Sequence, residues 1–208
     1  MLKNHLLTTR EEHSLLESLN SDKYQGDVDF IKFMYATKLQ KYNMFSSAQV
    51  DQRRLQLAKT YNVENSSLVM LAIAEKLMNQ CDYCQAKSII QKLSIFNDRI
   101  YQEDSHNLEC ITLYIVCLNE LEDSNELFRI SHLLVDLYPL NAVPWFGVAT
   151  YYLCIGNYQD ARTYFSKATA IDPSFGSAWI GFAHSFSLEE EHDQALAAYS
   201  TAARLLQG

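Results

Sequence analysis

Large and small side chains recur at intervals of 34 residues in the second half of this chain, and that interval restricts the folds open to it. Trp145 and Trp179 stand 34 apart, as do Tyr152 and Phe186, Ala161 and Ala195, Phe165 and Tyr199, Ala168 and Ala202, and Pro139 and Pro173. A repeat of this length is one supersecondary unit that cannot bury its apolar face alone, so units must stack on one another. The composition says what the unit is made of. Hydrophobic residues reach 48%, enough for a sizeable core, while 6 Gly and 3 Pro are too few for the many turns of an all-β fold. The expected class is all-α.

The spacing and residue types match the tetratricopeptide repeat, a right-handed superhelical solenoid of antiparallel helix pairs. With a repeat starting at Ala142, Trp145 is position 4, Tyr152 position 11, Ala161 position 20, Phe165 position 24, Ala168 position 27 and Pro173 position 32. The bulky residues fill space between helices, and the small ones at 20 and 27 let two helix backbones approach. Pro173 ends the second helix, because it lacks an N–H and clashes with the preceding turn. Pro144 sits in the first turn of its helix, where proline is tolerated. Position 8, often glycine in this repeat, is Ala149 and then Ala183.

These positions divide the chain. Repeats are expected over 142–175 and 176–208, with a degenerate repeat over 108–141 that carries Ile111, Leu118 and Leu127 at signature positions. The run Asp82-Tyr83-Cys84-Gln85-Ala86-Lys87 reads like Asn157-Tyr158-Gln159-Asp160-Ala161-Arg162, which sets a repeat over 67–107 with a lengthened loop from Asp98 to Asn107. Residues 1–66 are expected to form three helices in degenerate repeats. Thr8 with Glu11 and Thr9 with Glu12 offer capping boxes, Phe30, Phe33, Met34 and Leu39 recur at helical spacing, and a third helix runs from Ser46 to about Tyr61. The chain ends at Leu205-Leu206-Gln207-Gly208, with an apolar tail and no polar cap. It is therefore expected to be a piece of a longer solenoid.

Charge and motif content exclude several functions. The balance is 17 Lys+Arg against 25 Asp+Glu, net −8, with no basic run, which disfavours nucleic acid. No stretch of 18 apolar residues suggests a membrane span, and the start is too short in apolar residues for a secretory signal. The 5 Cys without such a signal suit free thiols in a reducing compartment. Phosphate-loop, dinucleotide, nucleophile-elbow and zincin motifs are absent. Cys81-Asp82-Tyr83-Cys84 offers a zinc half-site or redox pair, for which His106 and Cys110 are the only complement, but two thiols in the turn of an ordinary hairpin explain it as well. Glu189, Glu190 and Glu191, with His192 beside them, read as a solvated acidic turn. No catalytic residue, cofactor or metal is expected.

The best candidate site is a groove. Positions 2, 5, 9 and 12 of each first helix line the concave face in this repeat: Val143, Phe146, Thr150 and Leu153, then Ser177, Ile180, His184 and Ser187. The set is mixed apolar and uncharged. It lacks the Lys, Asn and Arg that co-chaperones of this class use on acidic C-termini.

Several runs exceed what the repeat demands. They include Asn125-Glu126-Leu127-Phe128, Ser131-His132 with Leu134-Val135-Asp136-Leu137-Tyr138-Pro139, Ala178-Trp179-Ile180, His184-Ser185-Phe186 and Glu191-His192-Asp193-Gln194-Ala195. Together with Leu7-Thr8, Leu15-Leu16-Glu17-Ser18-Leu19 and Lys41-Tyr42-Asn43, they resemble the cell division cycle protein sixteen family, subunit six of the anaphase-promoting complex. The resemblance implies a non-catalytic scaffold within a ubiquitin ligase that marks mitotic regulators for degradation. It also implies nuclear and cytoplasmic location, homodimerisation of the full-length protein, and partners among the other subunits: further tetratricopeptide subunits and one small extended subunit. The likeness is to the middle of the family. A generic peptide-binding adaptor of the same fold is the alternative.

Overall fold

The computed structural model describes residues 67–92 and 105–207, which divide between two compact units, residues 1–93 and 94–208. The three helices expected within residues 1–66 lie outside the described residues. In the first unit, α1 (Ser67–Asn79) and α2 (Tyr83–Lys92) form a hairpin. Ala74 and Ala86 are fully buried in its seam, beside Leu71 and Ile90, so the two backbones meet over side chains of one carbon.

The second unit is a stack of three hairpins. They are α3 (Ser105–Glu120) with α4 (Ser124–Leu137), α5 (Ala142–Cys154) with α6 (Tyr158–Ile171), and α7 (Gly176–Ser187) with α8 (His192–Gln207). Helix α5 touches α3, α4, α6 and α7, whereas α7 packs on α5, α6 and α8. Ile111, Leu118 and Leu127 of the degenerate repeat are as fully buried as Ala161 and Phe165 of the regular one. Apolar volume at those positions, rather than residue identity, keeps the phase. The lengthened loop needs correction: helix α3 already begins at Ser105, so Ser105–Asn107 are helical.

All four described hairpins reverse direction in the same way. Cys81, Glu122, Gly156 and Glu190, each at position 15, adopt positive φ of 60°, 53°, 78° and 63°. The N–H of the following residue donates five residues back: Asp82 to Leu77, Asp123 to Leu118, Asn157 to Tyr152 and Glu191 to Phe186, at 2.9–3.0 Å. This is the Schellman termination, which satisfies carbonyls left over at the helix end. In the first three turns that same residue then caps the next helix, Asp82 accepting from the Gln85 N–H at 3.2 Å. Asp123 accepts from the Glu126 N–H at 3.3 Å, and Asn157 from the Asp160 N–H at 3.3 Å.

Two bonds join successive hairpins in register. The Trp145 indole N–H donates to the Pro139 carbonyl at 2.8 Å, and Trp179 donates to Pro173 at 3.0 Å. The co-recurrence of Trp and Pro thus has a physical cause. The proline ends one hairpin, and its carbonyl holds the indole that opens the next.

Position 6 permits the close approach between neighbours. A Cβ on Gly147 would stand 2.8 Å from Ser131 Oγ and 3.1 Å from Ile115 Cδ1, and a Cβ on Gly181 would press into the Phe165 ring. Ser131 and Phe165 are both position 24 of the preceding repeat. The consensus position 8 is instead Ala149 and Ala183, both fully buried.

Candidate protein-binding surface

The eight predicted groove residues do not share one environment. Val143 is 7% exposed, Phe146 4% and Thr150 4%, so these three are core, not open lining. The cause is the set of neighbours around α5. The Phe146 ring lies 6.0 Å from that of Phe165 and 5.2 Å from that of Phe175, and the Thr150 hydroxyl donates to the Phe146 carbonyl at 2.8 Å. Leu153, Ser177 and Ile180 are half-buried, and His184 and Ser187 are exposed. The Tyr199 hydroxyl and His184 Nδ1 share a hydrogen bond of 2.8 Å, with the rings edge to face. That contact holds the imidazole against α8.

The acidic turn is another correction. Arg162, on α6 and largely buried, donates from Nη1 to Glu191 at 2.8 Å and also pairs with Glu189. Its guanidinium lies 4.8 Å from the centre of the Phe186 ring. The turn is therefore partly neutralised by a cation from the preceding hairpin, not simply solvated. His192 begins α8 rather than lying in the turn. Ser185 is buried and its hydroxyl donates to the Phe182 carbonyl at 2.6 Å, so its role is structural.

Cys81 and Cys84 are exposed thiols: Cys81 is the left-handed residue of its turn, and Cys84 lies in the first turn of α2. Cys110 is buried in α3. Burial pushes the Cys154 thiol up, with Glu122 and Asp123 adding to the shift, so the α3–α4 turn projects negative potential onto the end of α5. No helix among the described residues is long and apolar enough to cross a membrane.

The sequence can now be placed among known proteins. No protein-family model matches it. The anaphase-promoting complex subunit cut9 of Schizosaccharomyces pombe is 41% identical over 211 residues, covering all of this chain and 30% of that protein. The chain belongs to the Cut9/CDC16 family. The cell division cycle protein 16 homolog of Homo sapiens is 38% identical over 210 residues, again across the whole chain and 32% of the relative. The chain spans about a third of the length of these curated Cut9/CDC16 relatives. In the crystal structure of the APC/C hetero-tetramer Cut9-Hcn1, a matching chain superposes with a TM-score of 0.82 at 39% identity, over 96% of this chain and 37% of that one. A MamA structure from Desulfovibrio magneticus, at 12% identity and TM-score 0.51, shares the fold alone.

Proposed function

We propose that this chain serves as a non-catalytic scaffold in subunit six of the anaphase-promoting complex, a ubiquitin ligase controlling mitotic progression. The observation that carries the reading is the 41% identity to cut9 across every residue of the chain. The mechanism is shape. Stacked hairpins, joined by Trp–Pro bonds and by the Arg162–Glu191 pair, hold a surface whose parts keep fixed separations. Its partners are other subunits of the complex, among them further tetratricopeptide subunits and one small extended subunit; that the related Cut9 crystallises in a hetero-tetramer with Hcn1 supports a partner within the complex. Homodimerisation of the full-length protein and a nuclear and cytoplasmic location complete the proposal.

The partner-contacting part of the groove consists of Leu153, Ser177, Ile180, His184 and Ser187, which burial leaves partly or fully open. Affinity purification of the tagged full-length protein from dividing cells, followed by mass spectrometry, tests the assignment. Co-purification of the remaining anaphase-promoting complex subunits is the expected result. Their absence beside some other discrete partner would replace it with a generic adaptor of the same fold.

A further inference from the structure

Six aromatic rings form an unbroken row over α4, α5 and α6, apart from the groove residues. His132 lies 3.9 Å from Phe128 between ring centres, Phe128 5.2 Å from Tyr151, Tyr151 5.3 Å from Tyr152, Tyr152 5.3 Å from Tyr164, and Tyr164 6.1 Å from Trp145. None of the six is buried, and Phe128 is 45% exposed. Phe146, Phe165 and Phe186, by contrast, are buried core rings of the same unit. Aromatic rings kept at the surface in continuous contact exceed the scatter of single exposed apolar residues that any protein shows.

The unit that carries the row is acidic as a whole. Residues 105–207 contain 12 acidic residues (Glu109, Glu120, Glu122, Asp123, Glu126, Asp136, Asp160, Asp172, Glu189, Glu190, Glu191 and Asp193) and 4 basic ones (Arg129, Arg162, Lys167 and Arg204). Three of the four cations are already engaged. Arg129 pairs with Glu126, Arg162 with Glu189 and Glu191, and the Lys167 ammonium sits 3.1 Å above the centre of the Trp145 ring. Burial pushes the Tyr152 hydroxyl up, with Tyr164 next, and the Asp160 carboxylate adds to the shift, so that one anion acts on the middle of the row.

The geometry points to the His132–Tyr151–Tyr152 end of this row as a docking surface for an extended, arginine-rich segment of a protein partner. Charge complementarity selects the occupant. Guanidinium planes stack on aromatic faces and are attracted by their quadrupole, and the unit's net negative charge, with Asp160 acting on Tyr152, favours a cation over an anion or nucleic acid. Lys167 on Trp145 shows the row already accepting a cation at its other end. This surface is additional to the groove, and its test does not depend on membership of the ligase.

Fluorescently labelled octa-arginine, with octa-glutamate as control, is titrated into the full chain and followed by anisotropy. Octa-arginine binds and octa-glutamate does not. Phe128→Ala and Tyr151→Leu each weaken binding roughly threefold or more, the size of a lost cation–π contact. Asp193→Asn and Leu196→Ala, on α8, leave it unchanged. Tyr151→Leu keeps side-chain bulk, so it decides the matter if Phe128→Ala lowers the melting temperature. No binding overturns the proposal. So does binding that Asp193→Asn weakens as much as the ring variants, because that result marks diffuse attraction to an acidic surface.

Discussion

The Trp145 indole N–H donates to the Pro139 carbonyl across the junction between two hairpins, and the Trp179–Pro173 pair repeats the arrangement 34 residues on. Trp145→Phe keeps an aromatic ring and deletes the donor. A loss of about 0.5–1.5 kcal/mol in urea unfolding is expected from the hydrogen bond, with some added loss of packing. An unchanged midpoint would mean that the bond contributes nothing to the junction.

Gly181 lies against the Phe165 ring, with Cε1 2.5 Å from where a Cβ would stand. Gly181→Ala is expected to destabilise by roughly 1–3 kcal/mol through overpacking. Gly147→Ala meets mainly the Ser131 hydroxyl, a smaller group, and should cost less. Combining Gly181→Ala with Phe165→Leu should be non-additive, which a double-mutant cycle reads directly.

Position 15 holds a left-handed residue in every described hairpin, yet only Gly156 is free of the steric cost. Glu190→Gly should stabilise by about 0.5–1 kcal/mol, and Gly156→Ala should destabilise by a similar amount. Thermal melts of the two variants, moving in opposite directions, check the assignment.

Glu126 is held below the usual carboxylate range, chiefly by its hydrogen bond from Arg129, against the opposing effect of burial. Its folded pKa is depressed, so its contribution is present above the unfolded carboxylate pKa and is lost as pH falls through the folded value. Glu126→Gln should lower stability slightly in the neutral region and leave it unchanged below the folded pKa, which flattens that part of the acid limb of the stability profile. Solvent screening keeps the effect small.

Thiol labelling should proceed in three classes. Cys81 and Cys84 are exposed and react first, Cys110 and Cys117 are buried and react only on unfolding, and Cys154 falls between, slowed by a raised pKa. Timed alkylation with peptide mapping gives the order. Early modification of Cys110 would contradict the packing of α3.

The period, the helix pairs and the Trp, Ala and Phe positions of residues 142–207 were legible because each depends on side-chain size at a fixed spacing. The Gly147 and Gly181 contacts were not, because their cause lies at position 24 of the preceding repeat. The left-handed turns were equally silent: Cys, Glu, Gly and Glu share a backbone conformation and no chemistry. Arg162 and Glu191 meet across 29 positions, so charge runs in sequence pointed to solvent instead. In the groove, position numbers transferred from a generic repeat ignored how many helices surround α5, and Val143, Phe146 and Thr150 were covered as a result.

The shared hairpin reversal has a consequence for tolerance to change. Direction is set by one backbone turn whose hydrogen bonds use no side chain, so the turn residue can drift from Gly to Cys or Glu while the next helix leaves at the same angle. Single substitutions there alter how firmly a hairpin is held. An inserted or deleted residue would instead rotate everything after it, so in α3–α8 the length of each repeat is the more heritable quantity, and its lettering the more expendable one.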